Sequence, residues 1–164
     1  DKIDTIIEGG TGTDSMKLCQ PKKMPQKFES GTQNLIGICG LNAGMNFVMR
    51  KGINNIYNHE MNLILYLYDN LKELNHVKLY MNRPEKGMFA PVLGFNVKGY
   101  ISDEIGKILD KNKIEVRTGL HCSPSAHEFA DSLETGVVRV SPSIFNTKND
   151  IDRLINVVKN IKQK

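Results

Sequence analysis

Residues 93–122 read LGFNVKGYISDEIGKILDKNKIEVRTGLHC. Leu93, Phe95 and Val97 alternate with small or polar residues, the period of a strand with one buried face. Ser102, Asp103 and Glu104 then open a short helix, where a hydroxyl and carboxylates suit the positive end of the helix dipole. Ile105, Ile108 and Leu109 line one side of it. Ile114 and Val116 alternate into Arg117, which predicts a further strand, and Gly119 lets the chain turn.

The same reading extends outward. Val77, Leu79 and Met81 alternate, as do Val138 and Val140 around Arg139. Thr147 and Asp150 fit a capping box before a helix lined by Ile151, Leu154, Ile155 and Val158. A polar loop is predicted from Gly119 to about Thr135. After residue 75 the predicted order is therefore β, β, α, β, β, α. Two longer helices precede it: Ile38, Leu41, Met45 and Val48 form one stripe, Gly52 interrupts, and Ile56, Leu63, Leu67, Leu71 and Leu74 form the next. Residues 1–34 lack any periodic apolar face. The pattern predicts an α/β (α+β) domain whose small mixed or antiparallel sheet is covered by helices.

The chain has 164 residues, 40% hydrophobic and 24% charged, which excludes a wholly disordered polymer. Lys and Arg number 22 against 18 Asp and Glu, a net +4 spread along the sequence. That charge suits solubility and does not point to nucleic acid. No apolar run approaches the roughly 18 residues of a membrane span, and no signal peptide is visible. Three cysteines without paired spacing favour a reducing, cytoplasmic setting over a disulfide framework. Because the chain begins at Asp1, it is expected to be a piece of a longer protein.

The strongest chemical candidate is Arg117-Thr-Gly-Leu-His-Cys122. Arg117, His121 and His127 would favour the thiolate of Cys122, which is the useful nucleophile. A surface cysteine that happens to lie among basic residues fits the same spacing. Cys39, inside a predicted helix beside Gly40, reads as a small core residue, and Cys19 has no evident partner. His121, Cys122 and His127 supply three potential zinc ligands, but there is no Cys-x-x-Cys pair and no fourth ligand, so no metal is expected. His59 and His76 read as surface or boundary histidines. Gly31-Thr32-Gln33-Asn34 fits either a phosphate cradle before a helix or a plain helix cap. Gly9-Gly10-Thr11-Gly12 lacks P-loop spacing and reads as a turn. If Val138 and Val140 point inward, Arg139 points to the other face, where it fits either a carboxylate clamp or a solvated strand residue.

Taken in order, Gly-Gly-Thr-Gly (9–12), Phe-Glu-Ser-Gly-Thr-Gln-Asn (28–34), Gly-Phe-Asn (94–96), Val-Arg-Thr-Gly-Leu-His-Cys (116–122), Val-Arg-Val-Ser (138–141) and Phe-Asn-Thr (145–147) resemble the C-terminal part of cysteine desulfurases. These are pyridoxal-phosphate (PLP) enzymes of the class V aminotransferase family. The likeness runs from about Ile6 to the end and is nearest the sulfur-mobilisation desulfurases and selenocysteine lyases, which carry a short Cys loop. It implies the small C-terminal domain of a fold-type I PLP enzyme (76–164), linking helices (35–75), and a strip of the large PLP domain (1–34). It implies that Cys122 takes sulfur from L-cysteine as a persulfide, leaving L-alanine, and passes it to an acceptor protein or thiol. Arg139 would bind the substrate carboxylate, with Arg117 a second active-site arginine. Gly31 and Thr32 would reach the PLP phosphate of the neighbouring subunit in a homodimer, with Gly9 to Gly12 shaping that segment. His121 lies beside the nucleophile without an assigned role.

One departure stands out. The family holds PLP on a lysine that directly follows a histidine, and the four histidines here precede Glu60, Val77, Cys122 and Glu128. The expectation is therefore a C-terminal fragment, inactive alone. The rivals are a selenocysteine lyase or another class V enzyme and, from a different class, a non-catalytic binding or scaffold domain.

Overall fold

Leu93, Phe95 and Val97 turn inward together, and none keeps more than 1% of its surface exposed. In the computed structural model, which describes residues 3–14 and 16–162, they belong to strand β2 (Leu93–Val97). It lies between β1 (Val77–Leu79) and β3 (Val138–Val140) in a three-stranded antiparallel sheet. Val77 faces Val97, Leu79 and Val138 flank Phe95, and Leu93 faces Val140. Such cross-strand apolar pairs stabilise a sheet with one buried face. The antiparallel sheet covered by helices is the architecture predicted above.

The chain divides into two compact units, Asp1–Arg50 and Lys51–Lys164. In the second unit, α2 (Ile53–Lys72), α3 (Ser102–Lys111) and α5 (Lys148–Lys159) cover the sheet. The short α4 (Pro124–Phe129) lies between α3 and β3. Leu63, Ile64, Leu67 and Leu71 of α2 meet Ile105 and Leu109 of α3 and Ile151, Leu154 and Val158 of α5 in one core. Their spacing of three and four puts them on one face of each helix. The Asp150 carboxylate accepts the Thr147 N–H at 2.8 Å and its hydroxyl at 3.1 Å, which fastens the start of α5. Those bonds hold the Asp150 pKa below its usual value. Tyr66 on α2 donates to Asp152 on α5 at 2.6 Å across the seam.

The first unit holds loops, a 3-10 turn at Gln26–Phe28 and α1 (Leu35–Lys51), in which no residue is buried. Its apolar stripe, Ile38, Leu41, Met45 and Val48, is exposed. Gly52, at φ 80°, separates α1 from α2.

Three local expectations need correction. The strand expected at Ile114 and Val116 reduces to a single bridge at Arg117, the one residue of that segment that pairs with β3. The polar loop contains α4, with Pro124 at its first turn, where a missing N–H costs nothing. Cys39 is exposed, because helical period identifies a face but not whether anything covers it. His59 and His76 are half-buried boundary histidines, as expected, and act as ties: their Nε2 atoms lie 2.9 Å from Asn146 O and 3.1 Å from Val158 O. Among the described residues, no helix is long and apolar enough to cross a membrane.

Candidate active site

The Cys122 segment is fastened at its base. Arg117 N–H donates to Arg139 O at 3.2 Å, and Arg139 N–H donates back to Arg117 O at 2.7 Å. Two residues on, Gly119 O accepts the Val137 N–H at 3.1 Å, and the Gly119 N–H donates to Ser102 Oγ at 3.1 Å. Gly119 takes a φ of 96°, and His121 and Cys122 follow at 51° and 56°. The left-handed region costs a non-glycine residue about 1–2 kcal/mol, so two in succession persist only where the surroundings hold them. Cys122 is exposed at the end of this turn.

His121 supplies one restraint. Its Nε2 lies 3.0 Å from Val137 O, a pure acceptor, so Nε2 carries the proton and donates. Nδ1 is then the bare acceptor, and it is buried without a partner. Burial lowers the His121 pKa below its ordinary 6.5; the Val137 bond works against this, while Arg139, His127 and Arg117 add to the depression. The imidazole is therefore neutral at pH 7. His127 is buried in α4, with Nδ1 at 2.9 Å from Ser132 Oγ. The two rings lie 5.9 Å apart, tilted by 39°. Among the described residues, no three His, Cys, Asp or Glu side chains gather as a metal-binding group.

Arg139 points away from the core, because Val138 and Val140 on either side are buried. Arg117 lies directly opposite and exits the same face. Gly94 is the third member of this row, across from Arg139 in β2. A Cβ on Gly94 would come within 3.1 Å of Val137 Cγ1, so glycine keeps the face beside Arg139 free of a side chain. Arg139 Nε is buried with no hydrogen-bond partner, and neither arginine forms an ion pair among the described residues. The row can therefore bind an anion such as a carboxylate.

Gly31 and Thr32 lie in the first unit. Gly31, at φ 75°, donates its N–H to Gly10 O at 2.7 Å, which joins the two glycine-rich motifs. Thr11 Oγ1 caps its own turn by accepting the Asp14 N–H at 3.2 Å. The cap of α1 is Asn34, whose Oδ1 accepts the Gly37 N–H at 2.9 Å. Thr32 is exposed and makes no hydrogen bond among the described residues. Sequence reasoning overlooked Ser102 as part of this site. It read only as the start of a helix, and its bond to Gly119 spans 17 positions.

The chain belongs to the aminotransferase class-V family, whose match covers residues 2–154. A probable cysteine desulfurase of Halalkalibacterium halodurans is 31% identical over 165 residues, 99% of this chain and 39% of that protein. A cysteine desulfurase of Escherichia coli is 34% identical over 139 residues, 85% of this chain and 33% of that one. The apo structure of a cysteine desulfurase from Thermococcus onnurineus superimposes with a TM-score of 0.76 at 33% identity, covering 93% of this chain and 38% of that chain. The chain thus spans 30–39% of the length of the curated relatives it matches.

Proposed function

We propose that this chain is the C-terminal part of a PLP-dependent cysteine desulfurase. Residues 1–34 belong with its large domain, 35–75 form linking helices, and 76–164 form its small domain. The observation that carries the reading is an exposed Cys122 on a fastened left-handed turn, whose base is bonded to the strand that bears Arg139.

The residues present fit the cofactor and its substrate in part. The unpartnered guanidinium of Arg139 suits the carboxylate of L-cysteine, and Arg117 keeps the same face positive. The free hydroxyl of Thr32 suits the PLP phosphate. The Gly31 N–H is already bonded to Gly10, so Gly31 contributes its turn rather than a donor. No lysine of this chain directly follows a histidine, so none matches the family's cofactor anchor. When bound, PLP supplies the electron sink that makes the substrate C–S bond labile. Cys122 Sγ attacks the sulfur of the bound cysteine. The new S–S bond forms as the Cβ–S bond breaks, and its electrons pass to the carbon skeleton. That skeleton takes up a proton and leaves as L-alanine, so cysteine and the Cys122 thiol yield alanine and a Cys122 persulfide. The sulfur then passes to an acceptor thiol, on a partner protein or a small reductant. Feeding iron–sulfur assembly, a homodimer that shares Gly31 and Thr32 across its interface, and a cytoplasmic setting complete the reading.

The test is full-length protein, wild type and Cys122→Ala, given L-cysteine while alanine and protein-bound persulfide are measured together. Persulfide on the wild type and none on the variant is expected. Unchanged turnover in the variant would sink the nucleophile role and point to a lyase of the same fold.

A further inference from the structure

We propose that Ser102 is a positioning residue for Cys122, fastening both arms of the loop that carries the thiol; this rests on the desulfurase reading above. As the first residue of α3, Ser102 accepts the Gly119 N–H on its hydroxyl at 3.1 Å, three positions before Cys122. Its own N–H donates to Thr135 O at 2.7 Å on the returning arm. At 2% exposure, Ser102 leaves water little access to replace either bond.

The arms converge at the same point. A Cβ on Gly136 would lie 2.4 Å from Ser102 Oγ and 3.0 Å from Gly119 Cα, so only glycine admits this approach. From β2, the buried Asn96 donates to Gly136 O at 3.3 Å. A helix-capping role does not account for the Ser102 hydroxyl. At the start of α3 it is Glu104 that turns back, accepting the Ile101 N–H at 3.2 Å, while the Ser102 hydroxyl serves the loop.

Only Leu120 and His121 separate Gly119 from the nucleophile. A displacement at Gly119 therefore reaches Cys122 with little damping. Arg139 sits on β3, held by pairing on both edges, and keeps its place. Misplacing a reacting atom by about 1 Å costs up to roughly 100-fold in rate. In the full-length enzyme, Ser102→Ala should lower kcat about 10-fold or more while KM for cysteine stays within about 2-fold. The shape of the pH profile should not change, since no titrating group is lost. Ser102→Thr, which keeps the acceptor, should restore kcat.

Amide hydrogen exchange across residues 117–122 gives a readout independent of turnover. It should quicken in Ser102→Ala and return toward wild type in Ser102→Thr. Wild-type kcat and unchanged exchange in Ser102→Ala would overturn the proposal. So would a loss of kcat that Ser102→Thr fails to rescue. Should Ser102→Ala not fold, Ser102→Cys, of similar shape but a weaker acceptor, carries the same two readouts. If the wild type turns over no cysteine, the functional reading fails and the exchange experiment alone decides the role of Ser102.

Discussion

Arg117 and Arg139 face each other as a hydrogen-bonded antiparallel pair, each donating its N–H to the other's carbonyl, at 3.2 and 2.7 Å. In such a pair both side chains leave the same face of the sheet. Like charges placed directly opposite are destabilising. No Asp or Glu pairs with either among the described residues, and Arg139 Nε is buried without an acceptor. The chain thus holds two cations side by side on one face, an arrangement in keeping with the proposed carboxylate-binding role.

Arg139→Gln should separate stability from binding. Removing one charge of the pair should leave the fold as stable as wild type or more so, by roughly 0.2–1 kcal/mol. Loss of a charged hydrogen bond to the carboxylate should raise KM for cysteine by about 10-fold or more. Urea unfolding and steady-state kinetics on the full-length protein check both halves. A destabilised variant with unchanged KM would remove the anion seat.

His121 should make stability depend on pH in a defined window. Its folded pKa lies below the ordinary 6.5, chiefly because of burial, so the unfolded chain takes up the proton more readily. The stability that neutral His121 contributes is present above about 6.5 and is lost as pH falls from there through the lower folded value. In His121→Gln, which has no titrating group, the melting temperature should fall less steeply across that window. Identical slopes for wild type and variant would remove this account.

The backbone at Cys122 predicts an ordering of variants. Its φ of 56° is free for glycine and strained for any residue with a Cβ. Cys122→Gly should therefore be more stable than Cys122→Ala by about 1 kcal/mol, although neither can carry a persulfide. Thermal unfolding of the two variants side by side tests whether the turn is held in the left-handed region in solution.

Much of the fold was legible in local pattern. Leu93, Phe95 and Val97 announce a strand by their alternation, and Ile151, Leu154 and Val158 a helix by their spacing, because burial of one face imposes those periods directly. The helix at Pro124–Phe129 was not legible, since six residues are too few to display a stripe. Ile114 and Val116 alternate like a strand, yet pairing depends on a free edge alongside, and only Arg117 meets one. The stripe on α1 named a face correctly, but its periodicity could not say that Cys39 and its neighbours stand uncovered.

Residue type and spacing by themselves determined the kinds of element, the order of most of them, and the candidates Cys122, Arg117 and Arg139, because these properties reside in short stretches of chain. Tertiary structure alone decided that Gly119 meets Ser102 and that His121 meets Val137, contacts spanning 17 and 16 positions. Hydrogen bonds over such separations form only once the sheet and α3 have brought distant backbone together, and no local period encodes that meeting.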